Sequence, residues 1–268
     1  MKAIRGILLC LFVAVVVLPV AWVFLSAVKS NTDISASPFS VTVPPAFDNF
    51  GKAWNSQHLG PAFLLSLTVT LATLAVLIPL GAMMAYALAR YRFKGSSFIL
   101  GGITLGMLFP NLLAAVPLFL QLADANLDDT VFGLVAAYVA FSISFTVFVL
   151  HGFFAALPNE LAEAATIDGA GHWSLFLRVM VPLAKPGIWV AVIFNAIGLW
   201  NEYSLAKVLM LQQKTLPVGL SDLIAQQQYA GDWGAIFAGS VLVMLPILTL
   251  YMLLKDKVQQ AMLAGAIK

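Results

Sequence analysis

The sequence predicts an all-α integral membrane protein with six transmembrane helices, on three observations. The 268 residues are 61% hydrophobic and only 10% charged, and the mean hydropathy is +0.95, well beyond what a water-soluble domain needs to fill a core. The apolar residues run in long unbroken stretches, where a β-barrel would alternate with period two in segments of about ten residues. In lipid every backbone polar group must be paired internally, which leaves helices as the spanning elements.

A hydrocarbon core of roughly 30 Å takes about 20 helical residues to cross. Runs of that length fall at 7–28, 62–89, 97–122, 130–153, 187–207 and 234–254. The first follows Lys2 and Arg5, as a secretory signal would, but it is too long and lacks an A-x-A-like exit, so it reads as a retained helix. Phe109-Pro110 is expected to break the third run, and Pro117 and Pro246 to kink their helices. The whole chain, 1–268, reads as one transmembrane domain with a cytoplasmic loop at 155–186.

Orientation comes from the basic residues, which accumulate on the cytoplasmic side. Lys2, Arg5, Arg90, Arg92, Lys94, Arg178, Lys185, Lys255, Lys257 and Lys268 fall on one side of the spans, against Lys29, Lys52, Lys207 and Lys214 on the other. Both termini are therefore expected in the cytoplasm. The net charge of +2 is accounted for by this topology and calls for no nucleic-acid partner. Cys10, the single cysteine, reads as a small apolar residue of the first span. His58, His151 and His172 lie at unrelated positions, so no metal site is expected. The absence of a G-x-x-x-x-G-K-[ST] loop means that energy from ATP must come through a partner.

The loop between spans four and five is the most informative segment. Pro158 suits a first helical turn, Glu160 and Glu163 favour the positive end of a helix dipole, and Gly169 is placed to end that helix in a left-handed conformation. Trp173, Phe176, Leu177 and Met180 then recur at helical spacing as an apolar stripe that can pack beneath the membrane bundle, and Pro182 is expected to end the second helix. Around Gly169, the small Ala164, Ala165 and Ala170 let another backbone approach closely, and Glu163 offers a charge to a basic partner.

This stretch resembles the EAA loop of ABC importer permeases, E-A-A-x-x-x-G followed at a fixed spacing by I-x-L-P. Glu163, Ala164, Ala165, Gly169 and Pro182 match, with Val179 and Val181 replacing the Ile and Leu. Further likeness to the carbohydrate-uptake type, the second permease of maltose-like systems, lies in residues 85–93 (AYALARYRF), in Trp200-Asn201-Glu202-Tyr203 and in the closing 263–268 (LAGAIK). The resemblance implies a type I ABC importer permease fold and a coupling helix that docks into an ATPase subunit through Glu163, Ala164, Ala165, Asp168, Gly169 and Ala170. It also implies a second homologous permease, an ATPase dimer that alone binds ATP and Mg, and an extracytoplasmic solute-binding protein. No cofactor is expected in this chain, and the location is the cytoplasmic or inner membrane of a bacterium or archaeon. The expected cargo is a sugar or oligosaccharide, with glycerol phosphate or another small solute as the alternative. A self-sufficient secondary transporter would show internal repeats or several embedded charges, and neither is evident.

Polar residues inside a membrane are costly and often mark a substrate path. Asn195, Trp200, Asn201, Glu202 and Tyr203 of the fifth span form such a set, able to bond sugar hydroxyls and stack on a sugar ring, or alternatively to tie helices together. The outer loop, about 208–233, is long for a simple reversal. Its apolar Leu216, Val218, Leu220, Leu223 and Ile224 predict helix and burial against the bundle or a partner, and Gln212, Gln213, Gln226, Gln227 and Gln228 suit a wet rim toward the binding protein.

Overall fold

A computed structural model describes residues 2–41 and 43–266, and every regular element among them is helical. Ile267 and Lys268 of the closing motif lie outside the described residues, as do the side chains of Lys2, Gln227, Gln228, Tyr229, Lys257 and residues 263–266.

In chain order the helices are α1 (Lys2–Ala27), α2 (Asn31–Ala36), α3 (Asp48–Gly51), α4 (Leu59–Arg90), α5 (Ser96–Gly106), α6 (Asn111–Asp124), α7 (Val131–Ala156), α8 (Asn159–Ile167), α9 (His172–Ser174), α10 (Val181–Leu183), α11 (Lys185–Trp200), α12 (Ser204–Leu209), α13 (Leu216–Ala230) and α14 (Trp233–Ala266). Lys52–Ser56 and Leu175–Met180 are π-helical turns. By length and composition α1, α4, α7 and α14 can each cross a membrane, and counting two bent pairs as single spans brings the number to six.

Of those bent pairs, the first falls where Phe109-Pro110 was expected to break the third run. Span three is α5 and α6, which meet at 97°. Pro110, without an N–H and held in an extended conformation (φ −69°, ψ 112°), sits where the chain turns. Span five is preceded by the segment His172–Leu183, which joins α11 at 73°. Pro182 lies inside α10 and does not end it; the break falls at Ala184, before the Lys185-Pro186 start of α11. The fifth span also ends at Trp200, several residues short of 207, so Glu202 is not inside a span.

The chain divides into two compact units, residues 1–65 with 214–247, and residues 66–213 with 248–268. In the first, Lys29 is 1% exposed; its Nζ donates to the Ser37 carbonyl (3.0 Å), the Pro38 carbonyl (2.9 Å) and Ser40 Oγ (3.5 Å). Three neutral acceptors saturate the three N–H donors of an ammonium. The buried Asn49 completes this joint by donating to the carbonyls of Ala27 (3.0 Å) and Lys29 (2.8 Å). The apolar face expected in the outer loop is that of α13: Leu216, Val218 and Leu223 are buried, and Gly219 lies within contact of Leu59 and Ala62 at the start of α4. Ile224 remains exposed. Lys214 pairs with Asp222 at 2.6 Å across the first turns of α13.

In the second unit α7 is the central helix, packed by α5 on one side and α11 on the other. Thr130 caps it, accepting from the Gly133 amide at 3.0 Å. Gly81 lets α4 approach α7: a methyl group there would meet Thr146 Cγ2 at 2.5 Å. Of the Gly102-x-x-x-Gly106 pair only Gly106 meets a neighbour, Ser144 of α7; around Gly102 there is open space.

Candidate coupling site and translocation path

The start of α8 has no side-chain cap of its own, because its N-cap position is Pro158. Pro158 thus stands one place earlier than a first-turn proline, and the extended backbone it favours turns the chain off α7. The anchor comes from elsewhere. Arg90, the last residue of α4, donates from Nη1 to the Leu157 carbonyl (3.0 Å) and Asn159 Oδ1 (2.8 Å), and from Nη2 to the Pro158 carbonyl (3.0 Å) and Met180 Sδ (3.9 Å).

The other end of α8 closes as the sequence suggests. Gly169 has φ +84°, the Ala170 amide donates to the Ala165 carbonyl (2.9 Å) and the Gly169 amide to the Thr166 carbonyl (3.0 Å). This pair of bonds around a left-handed glycine is a Schellman motif, which satisfies the last carbonyls of the helix.

One face of α8 is inward: Ala162, Ala165 and Ala170 pack against a core containing Tyr86, Phe154, Phe176 and the fully buried Met180. Tyr86 is the hub, with ring centroids 5.6 Å from Phe154 and 5.0 Å from Phe176. Beside it Tyr91 Oη meets His172 Nδ1 at 3.2 Å. The 85–93 motif is therefore the platform on which the loop rests. The opposite face of α8, with Glu163, Ala164, Asp168 and Gly169, is exposed. Ile167, which the sequence reading passed over, stands 85% exposed among them, and Trp173 and Leu177 are exposed on the following segment. The signal was present in Thr166-Ile167-Asp168, an apolar residue between two polar ones on a short, otherwise small-residue helix.

The second set of candidates is not one cluster. Asn195 is buried in the α7–α11 seam, where its Nδ2 donates to Thr146 Oγ1 (2.9 Å) and the Ala191 carbonyl (2.8 Å). Glu202 meets α7 through Tyr138, whose Oη donates to its carboxylate at 2.6 Å. Thr146 and Tyr138 are eight positions apart on one helix, so the two joints lie about 12 Å apart along α7. Glu202 also accepts from the Leu205 amide (2.7 Å) and the Ala206 amide (3.0 Å), satisfying free donors of α12. Trp200 is buried, whereas Asn201 and Tyr203 are exposed. Asn201 Nδ2 donates back to the Ile197 carbonyl at 3.0 Å.

The turn after α12 is held by an aspartate that precedes α7. Asp129, in the left-handed region at φ 53°, accepts from the Gln212 (3.1 Å) and Gln213 (3.2 Å) amides through Oδ1. Its own amide donates to the Leu209 carbonyl at 3.0 Å. Leu211, 61% exposed, is thereby presented on a fixed turn. No group of three or more His, Cys, Asp or Glu side chains that could hold a metal occurs among the described residues.

Residues 77–264 match the model of the family described as binding-protein-dependent transport system inner membrane component. The chain is 40% identical over 268 residues to the diacetylchitobiose uptake system permease protein NgcG of Streptomyces coelicolor, covering 99% of this chain and 89% of that one. It is 31% identical over 263 residues to the trehalose transport system permease protein SugB of Mycobacterium tuberculosis, covering 96% and 94%. Its fold is shared with a chain of a bacterial ABC transporter that imports the acidic polysaccharide alginate, at TM-score 0.84 and 22% identity over 95% of each chain. The helical architecture, the loop motif and these matches agree: the chain belongs to the family of binding-protein-dependent transport system inner membrane components.

Proposed function

We propose that this chain, as one permease domain, forms half of the membrane channel of an ABC importer for a neutral di- or oligosaccharide. It is a transport subunit and not an enzyme. The observation that carries the sugar reading is likeness along almost the full length to permeases named for diacetylchitobiose and trehalose uptake. In this reading a second homologous permease completes the path, an ATPase dimer binds ATP and Mg, and an extracytoplasmic binding protein delivers the solute.

The exposed face of α8, with Glu163, Ala164, Asp168, Gly169 and the protruding Ile167, docks into the ATPase, while Ala165 and Ala170 seat the helix on its platform. Small residues allow close backbone approach there, and Ile167 supplies the apolar anchor that interfaces favour. Of the translocation candidates, Asn201 and Tyr203 are the exposed ones and meet the sugar; Glu202, Asn195 and Trp200 shape the wall behind them. The turn at 211–213 meets the binding protein. The test is uptake of labelled disaccharides by cells lacking this gene, with and without a restored copy. Loss and restoration of disaccharide uptake is expected. Unchanged uptake of every neutral saccharide, together with loss of glycerol phosphate uptake, would transfer the assignment to the phosphate ester.

A further inference from the structure

We propose that Arg90 is a positioning residue that fixes the docking helix α8 to the cytoplasmic end of α4, so that α4 and α8 move as one body during transport. The inference rests on the reading of α8 as the ATPase-docking element, and nothing in that reading requires Arg90.

The guanidinium reaches the last two residues before α8, the first residue of α8, and Met180 of the returning segment. A rigid fork with five N–H donors can hold several acceptors in a fixed geometry, which an ammonium on a flexible stem cannot. Helix stability alone does not account for an arginine here. A cation favours the C-terminal end of α4 and disfavours the N-terminal end of α8, so the two dipole contributions oppose each other. What remains is the set of hydrogen bonds, and they bridge separate elements. The N-cap position of α8 gives no side-chain cap bond, so its entry is tied to α4 through this residue. The rest of the platform has a different character: Tyr91 Oη reaches His172, beyond α8, and Tyr86, Phe154 and Phe176 make apolar ring contacts, which tolerate sliding, whereas directional charged bonds resist it.

The experiment uses the whole transporter in proteoliposomes, with its partner permease, ATPase and binding protein, and compares Arg90→Met and Arg90→Lys with the unaltered chain. Arg90→Met keeps the apolar bulk of the stem but removes every side-chain donor. It is expected to retain the ATPase on purification and to leave KM for the sugar unchanged. Charged hydrogen bonds of this kind carry enough free energy for turnover and the sugar transported per ATP to fall about tenfold. Arg90→Lys, able to serve only part of the acceptor set, is expected to lie between. A normal ratio of sugar to ATP in Arg90→Met overturns the proposal, and so does loss of the ATPase from that variant, which would make Arg90 a folding determinant of the loop. Should Arg90→Met fail to reach the membrane, the ratio in Arg90→Lys decides in the same way. Gly169→Trp in parallel separates the two readings: if it keeps the ATPase and transports normally, the docking assignment of α8 falls. If it sheds the ATPase while Arg90→Met stays fully coupled, only the role of Arg90 is lost.

Discussion

Replacing Glu202 by alanine tests whether this acid is a joint or a sugar contact. Its carboxylate accepts from Tyr138 Oη and from the amides of Leu205 and Ala206. Tyr138 is 2% exposed, so alanine strands a buried hydroxyl, a loss of about 1–3 kcal/mol. Uncapping the first turn of α12 adds about 1 kcal/mol. The sum is about 3 kcal/mol, reduced where lipid-embedded hydrogen bonds are weak, at roughly 0.6 kcal/mol each on average. Glu202→Gln keeps one acceptor oxygen and is expected to lose about half as much. The assay is thermal unfolding of the purified complex in detergent, followed by sugar uptake across a range of concentrations. A melting point lowered by several degrees, more in alanine than in glutamine, with KM unchanged in whatever folded protein remains, is expected. Normal melting together with a KM raised tenfold or more would refute the joint and make Glu202 a ligand of the sugar.

Four further outcomes follow from the geometry. Glu163→Lys, on the exposed face of α8, should leave membrane insertion intact while releasing the ATPase on purification; retention at a normal transport rate removes the docking role. Asp129→Ala frees the amides of Gln212 and Gln213 and should slow uptake most at limiting sugar without affecting ATPase retention; equal loss at all sugar concentrations would argue against contact with the binding protein. Cysteine at position 201 should be labelled from outside and protected when sugar and ATP are supplied, and protection that never responds favours a packing role. Lys29→Met removes the tether on the carbonyls of Ser37 and Pro38 and should open 37–41 to added protease; unchanged resistance would show that the segment is held by other contacts.

Composition and hydropathy predicted the helical class because lipid admits few alternatives, and the end of α8 was legible because its glycine acts locally, whereas Pro158 and Pro182 each stand one step from their expected roles. Gly169 needed only its own φ to be read correctly. The bends were legible only in part. Phe109-Pro110 marked the break within 97–122 but not its angle of 97°, since hydropathy is continuous there and an apolar residue is equally suited to lipid before and after a bend. Similarly, the end of span five at Trp200 is invisible to hydropathy, because Leu205, Ala206 and Leu209 are buried against protein instead of lipid. Arg90 was legible only as a topology signal, and the role of Asp129 not at all. Their partners lie 67 to 90 positions away in sequence, and no local periodicity reports such a pairing.

These misplacements share a physical cause that bears on how polar residues in apolar chains are interpreted. A polar group within a hydrophobic stretch invites a functional reading because lipid offers it nothing. The same penalty drives the fold to supply a partner from within. Lys29 is surrounded by carbonyls and a hydroxyl, Asn195 by Thr146 and Ala191, and Glu202 by Tyr138 and two amides. Each of these is positioned where one helix or turn is fixed to another. The exposed polar side chains instead stand at element ends and turns, Asn201 after α11 and Glu163 on α8 among them, where water is at hand and exchange for a ligand costs little. For this family member, mutational scans of the transport path are therefore best begun at exposed turn residues, with the buried polar joints kept as controls for folding.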